Sequence, residues 1–137
     1  MTRWFGSKPK VTLIGSYHRQ PEALKKLFRE LEVSGCRVLS PLSLDFDNSA
    51  EEFVKLGSEA ELSDLEIEKF VLRAIEESDF LWLHAPEGYV GLSGAFEIGY
   101  AFKLKKPVFC KLKPQDPNIR NFVITKNSVF DALNLFE

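Results

Sequence analysis

The stretch from Lys10 to Pro41 constrains the fold more than any other part of the chain. "KVTLIGS" is a short β-branched apolar run closed by Gly-Ser, the pattern of a buried strand. "QPEALKKLFRELEVSG" follows, with Leu24, Leu27, Phe28 and Leu31 at helical spacing, Pro21 suited to a first turn and Gly35 to the position after the last. "CRVLSP" is a second strand, stopped by Pro41. Strand, helix and strand within about thirty residues make a βαβ unit, which commits the chain to a parallel sheet.

The rest of the chain continues that alternation. "SDLEIEKFVLRAIEES" opens on a Ser63-x-x-Glu66 capping box and carries an apolar stripe at Ile67, Phe70, Val71, Ala74 and Ile75. "DFLWLHA" reads as a third strand with Phe80 and Trp82 in the core, "SGAFEIGYAFKLK" as a helix and "KPVFCKL" as a fourth strand. "NFVIT" is a short fifth strand, and "NSVFDALNLFE" a closing helix. Between residues 42 and 62 the pattern weakens into an acidic connection with a short helix expected from Ala50 to Leu56; such a connection is either a recognition loop or a solvated excursion. The expected fold is a single doubly wound, flavodoxin-like or Rossmann-like α/β domain with a parallel sheet of about five strands. Its bounds are 10–137, after an N-terminal extension at 1–9.

At 137 residues the chain has room for one core. A net charge of −2 with scattered basic residues argues against a nucleic-acid polymer as partner, though not against a nucleotide-sized ligand. The two cysteines, Cys36 and Cys110, form no CxxC pair and read as free thiols of a reducing cytoplasm. No histidine, cysteine and carboxylate spacing matches a metal site. The N-terminus lacks the apolar core of a signal peptide, and no apolar run reaches the ~20 residues that span a membrane, so neither is expected.

With strand order 2-1-3-4-5, ligands bind where the order reverses, beyond the ends of strands one and three. Those ends are "GSYH", Gly15 to His18, and "HAPEGYVG", His84 to Gly91. The helix that follows carries Glu97 among small residues: its neighbours a turn away are Ser93, Gly94, Tyr100 and Ala101. Gly88, Gly91 and Gly94 allow close backbone approach and expose amides at a helix start, an anion site. Ser93 offers a hydroxyl to a ligand. A carboxylate in a first helical turn is also favoured by the helix dipole alone, so a structural reading of Glu97 stands beside the functional one. His18 and His84 are candidates for phosphate contact or leaving-group protonation, or are structural histidines with local partners. Tyr89 suits base stacking or a surface contact.

The segment "SDFLWLHAPEGYVGLSGAFEIGYAFKLKKPVF", with "IGS" on the first strand, resembles the nucleoside 2-deoxyribosyltransferase family and its N-glycosidase relatives. The shared pattern is strand, small-residue loop, "E-x-G-x-A" on a helix, then "K-P-V". The resemblance covers roughly residues 11–112. It implies cleavage or transfer at the N-glycosidic bond of a nucleoside or nucleotide, with Glu97 as the nucleophile and no cofactor. It also implies that Gly15, Ser16 and Tyr17 face the sugar or phosphate, and that the protein is a homodimer or larger. Two carboxylates of the family pattern are absent: Val71 and Gly91 occupy their positions. Glu68, a turn from the first, and Glu87, near the second, are the candidate replacements. A non-catalytic nucleotide-binding module of the same fold is the alternative reading.

Overall fold

The computed structural model describes residues 7–44 and 62–134. The helix expected at Ala50 to Leu56 and most of the N-terminal extension lie outside them. In chain order the elements are β1 (Lys10–Gly15), α1 (Pro21–Val33), β2 (Arg37–Ser40), α2 (Asp64–Glu77), β3 (Phe80–His84), α3 (Leu92–Lys103), β4 (Val108–Cys110), β5 (Ile124–Thr125) and α4 (Val129–Leu133). The five strands form one sheet in the order β2-β1-β3-β4-β5, and every adjacent pair is parallel. The doubly wound flavodoxin-like expectation is the observed architecture.

Alternation along the strands divides the interior in two. Val11, Leu13, Phe80, Trp82 and Phe109 face α1 and α4, where they pack with Leu24, Leu27, Leu31, Val129 and Ala132. Ile14, Leu81, Leu83, Val108 and Cys110 face the other way, against Ile75, Ile98 and Ala101 of α2 and α3. Parallel strands buried on both faces must be apolar at nearly every position, which is why "TLIG" and "FLWLH" show no alternation in sequence. Trp82 and Phe109 stack at 6.1 Å and Phe80 meets Phe109 edge-on at 5.6 Å, filling the α1 layer.

Local signals set the element ends. Pro21 opens α1, and Gly35, at φ 89°, takes the left-handed turn beyond its last residues. Ser63 and Glu66 form the reciprocal capping box of α2. Asp79 accepts the Lys10 amide at 2.8 Å while its own N–H donates to the Lys10 carbonyl, so this carboxylate pins β1 against β3. Thr12 and Ser78 satisfy each other in the interior at 2.7 Å.

The strand ends meet tightly. Gly15 pairs with His84 and has φ 125°, and a Cβ there would lie 2.1 Å from the His84 carbonyl oxygen. No side chain fits that gap. Gly15→Ala is expected to lower the unfolding free energy by about 2 kcal/mol or more. Urea denaturation reads this directly, and an unchanged midpoint would show that the two strand ends separate freely.

Candidate active site

The reversal of strand order between β1 and β3 leaves a crevice above Gly15 and His84. Two loops rim it, and they are fastened together. The Arg19 guanidinium lies 3.7 Å from the centre of the Tyr89 ring. Gln20 Nε2 donates to Glu87 Oε1 at 3.3 Å. His84 Nε2 donates to the Arg19 carbonyl at 2.8 Å, which fixes the tautomer because a carbonyl only accepts. Burial lowers the His84 pKa, partly offset by that bond, so the ring is neutral near pH 7.

The second loop is braced from below. Glu87 and Gly88 both have positive φ, 57° and 82°. The Gln115 amide donates to the Gly88 carbonyl at 2.9 Å and its side chain to the Glu87 carbonyl at 2.7 Å. A Cβ on Gly88 would strike the Gln115 side chain at 2.8 Å, so glycine is required where the two loops touch. This brace from Gln115 was not legible in the sequence: "PQDPNIR" carries turn residues but nothing that names a contact with the loop after β3.

α3 starts at Leu92, after Gly91, and no side chain caps its first amides. Its start lies against β1, since a Cβ on Gly94 would come 3.9 Å from the Gly15 Cα. Glu97 is therefore in the second turn, not the first. The dipole account of this carboxylate weakens accordingly, because that effect falls off within one turn. Nor is the space above Glu97 open. The residue is 8% exposed and, with Ile98 and Ala101, belongs to the buried part of α3.

Its neighbour there is Glu68 of α2. The pKa of Glu97 is raised well above the ordinary 4.5, first by burial, then by the hydrogen bond and the like charge that Glu68 presents. No N–H or hydroxyl donor among the described residues reaches the buried Oε2 of Glu68. Burial and the neighbouring Glu68 together favour the protonated form of Glu97. Tyr100, one turn on from Glu97, donates its hydroxyl to Glu76 and ties the same two helices. Of the two candidate replacements for the absent aspartates, Glu68 adjoins Glu97. Glu87 instead engages Gln20 on the rim. Val71 packs beside the α2–α3 core.

The other candidate residues separate. His84 continues the Phe80–Trp82 side of β3 and so faces the α1 layer, on the opposite face of the sheet from Glu97. Tyr17 also packs in the α1 layer and donates its hydroxyl to the Leu13 carbonyl. Ser16 is buried and its amide is directed to the His84 carbonyl at 3.4 Å. His18 is half-buried beside it. Gly88, Tyr89, Gly91, Ser93 and Gly94 lie together along the loop and the start of α3, with Ser93 exposed. Among the described residues, no group of three or more His, Cys, Asp or Glu side chains converges as a metal site. No helix among them is long and apolar enough to cross a membrane.

No protein-family model matches this chain, and no curated protein matches it in sequence. Among solved structures the fold is similar to that of the Clostridium botulinum CMP N-glycosidase BcmB, with a TM-score of 0.56 and 20% identity over 92% of this chain and 95% of that one. At that identity the likeness establishes a common fold.

The buried pair has a thermodynamic signature. A carboxyl whose folded pKa lies above its unfolded value binds its proton more tightly in the fold. Its full contribution to stability is present below the unfolded value and is lost as pH rises through the folded value. Glutamine at 97 cannot ionise. The melting temperature of Glu97→Gln, relative to the parent, is therefore expected to climb from about pH 4 to pH 8. Parallel melting profiles across that range would remove the buried pair from consideration.

Proposed function

We propose that this chain is a nucleoside 2-deoxyribosyltransferase-like enzyme of the cytoplasm that cleaves or transfers at the N-glycosidic bond of a (deoxy)nucleoside or nucleotide. The observation that carries this reading is the buried Glu97 carboxyl with Glu68 beside it, on the helix that follows switch-point strand β3. Glycosidic cleavage requires one carboxylate as nucleophile and one carboxylic acid to protonate the leaving group. Two carboxyls sharing a proton supply both.

Passing that proton from Glu97 to Glu68 readies the two groups in one move. The Glu97 carboxylate then attacks C1′, the C1′–N bond breaks, and the base departs with the proton from Glu68. A glycosyl ester on Glu97 remains. Water or a second base attacks C1′, returns its proton to Glu68 and frees Glu97. The positive charge that develops on the sugar favours the ionised nucleophile at the moment it is needed. The uncapped start of α3, with Gly91, Ser93 and Gly94, offers amides and a hydroxyl to a phosphate. The solved structure of similar fold is a CMP N-glycosidase.

The test is chromatographic detection of free base from ribo- and deoxyribonucleosides and their 5′-monophosphates. Base release by the parent, abolished in Glu97→Ala and reduced about 10²-fold or more in Glu68→Gln, is the expected result. Release that survives Glu97→Ala would overturn the assignment of the nucleophile. Nucleotide binding without release from any substrate would establish the non-catalytic module instead.

We further propose that the chain works as a homodimer or larger assembly. Leu92, Phe96 and Phe102 project from α3 with exposures of 93%, 55% and 61%, an apolar surface on the helix that carries Glu97. Light scattering is expected to give at least twice the monomer mass of 15.6 kDa. Phe96→Asp should shift it to the monomer, and a monomeric parent would refute the assembly.

A further inference from the structure

A second pocket opens at the C-terminal edge of the sheet, on the face away from Glu97. It encloses about 340 Å³ between α1, the end of β3 and the residues after β4. That is the small end of the range for ligand sites, enough for one ring or a short acyl chain. Trp82 and Leu27 belong to its lining and Pro86 and Leu112 to its walls, so most of the enclosing surface is apolar.

Two features select the charge and polarity of an occupant. Among the described residues, the charged side chains that line the pocket are Lys26 and Lys111, and none of those residues is a carboxylate. Lys111 is already held by Glu30 at 2.6 Å, and Glu30 has its other oxygen on the Val129 amide at 2.7 Å. Lys26 has no ion-pair partner among the described residues, so its charge is available. The second feature is Trp82. It is fully buried, and its indole N–H has no hydrogen-bond acceptor among the described residues. A buried donor left unpaired costs about 1–3 kcal/mol, and interiors rarely keep one without a use.

We propose that this pocket is a binding site for a small carboxylate with an apolar body, an aromatic or short-chain organic acid. The body packs on Leu27, Pro86 and Leu112, the carboxylate meets Lys26, and Trp82 supplies a donor for an acceptor oxygen. The pocket shares Gln20 and His84 with the rim of the crevice but lies on the other face of the sheet from Glu97, and the proposal does not rest on the Glu97 chemistry. Trp82 faces the α1 layer, whereas Glu97 lies against α2 on the opposite face.

The chain has two tryptophans, Trp4 and Trp82, so a Trp4→Phe background isolates the emission of Trp82. Benzoate and hexanoate would be titrated into the full chain, with benzyl alcohol and 1-hexanol as neutral controls, reading Trp82 emission and heat together. The expected result is saturable binding of both acids with a change in Trp82 emission, and about tenfold or weaker binding of the alcohols. Lys26→Ala and Ala23→Phe are exposed positions on α1; the first removes the charge and the second fills the mouth. Each should weaken the acids about tenfold, while Glu97→Gln leaves them unchanged. The proposal is overturned by no saturable binding up to about 10 mM, by alcohols binding as well as acids, or by Lys26→Ala binding like the parent. Heat of binding with no change in Trp82 emission would place the acid elsewhere and overturn it too.

Discussion

Everything at the functional end of this molecule depends on how closely β1 and β3 approach at Gly15 and His84. The register of that pair sets the position of both loops above it. With β1 and β3 adjacent and their crossovers running to opposite faces, the loops diverge and leave a crevice between them. The 2.1 Å that a Cβ would leave at Gly15 explains why the residue ending "LIG" is glycine rather than another small residue. The same approach brings the start of α3 against β1, and so sets the depth at which Glu97 enters the interior.

From that placement the chemistry follows by burial. A lone carboxylate at this depth would be expensive, and a second one beside it would be more so unless a proton is shared. The structure accepts that cost at Glu97, with Glu68 beside it, while other buried polar groups such as Thr12 and Ser78 satisfy each other locally. A buried carboxyl with a second carboxyl beside it is a feature that packing alone gives no reason to keep. The stacked Arg19 and Tyr89 and the Gln115 brace hold the surrounding loops in one arrangement. The groups that would meet a ligand are thereby ordered before it arrives, which lowers the entropy lost on binding.

The fold was legible because its signals are local and redundant. Short apolar runs, Pro21, Gly35 and the Ser63–Glu66 box each mark an element or its end, and the alternation leaves few topologies. The site was legible only in part. Glu97 stood out because a carboxylate among small residues is chemically odd at any depth, but its turn of the helix was misplaced by one. The start of α3 extends to Leu92, which the glycines around it obscured. Glu68 could be named as a neighbour of a missing aspartate, yet its approach to Glu97 depends on how α2 and α3 pack, and no helical periodicity encodes that. The histidines show the converse limit. His84 lies at the strand end as read, but the face it points to is fixed by β3 being buried on both sides, where the usual alternation of apolar and polar residues is absent.

The division of the interior by the sheet has a consequence for the two thiols. Cys36 sits in the α1–α4 layer and Cys110 in the α2–α3 layer, both buried and free. Burial pushes the Cys36 thiol up to about 11 and raises that of Cys110 as well, so neither is a nucleophile while its layer stays closed. They cannot meet across the strands to form a disulfide. Each instead acts as a chemical clock for its own half of the protein. The rate at which a thiol reagent consumes one or the other records how often that layer opens, and the ratio of the two rates says whether the halves open together or apart.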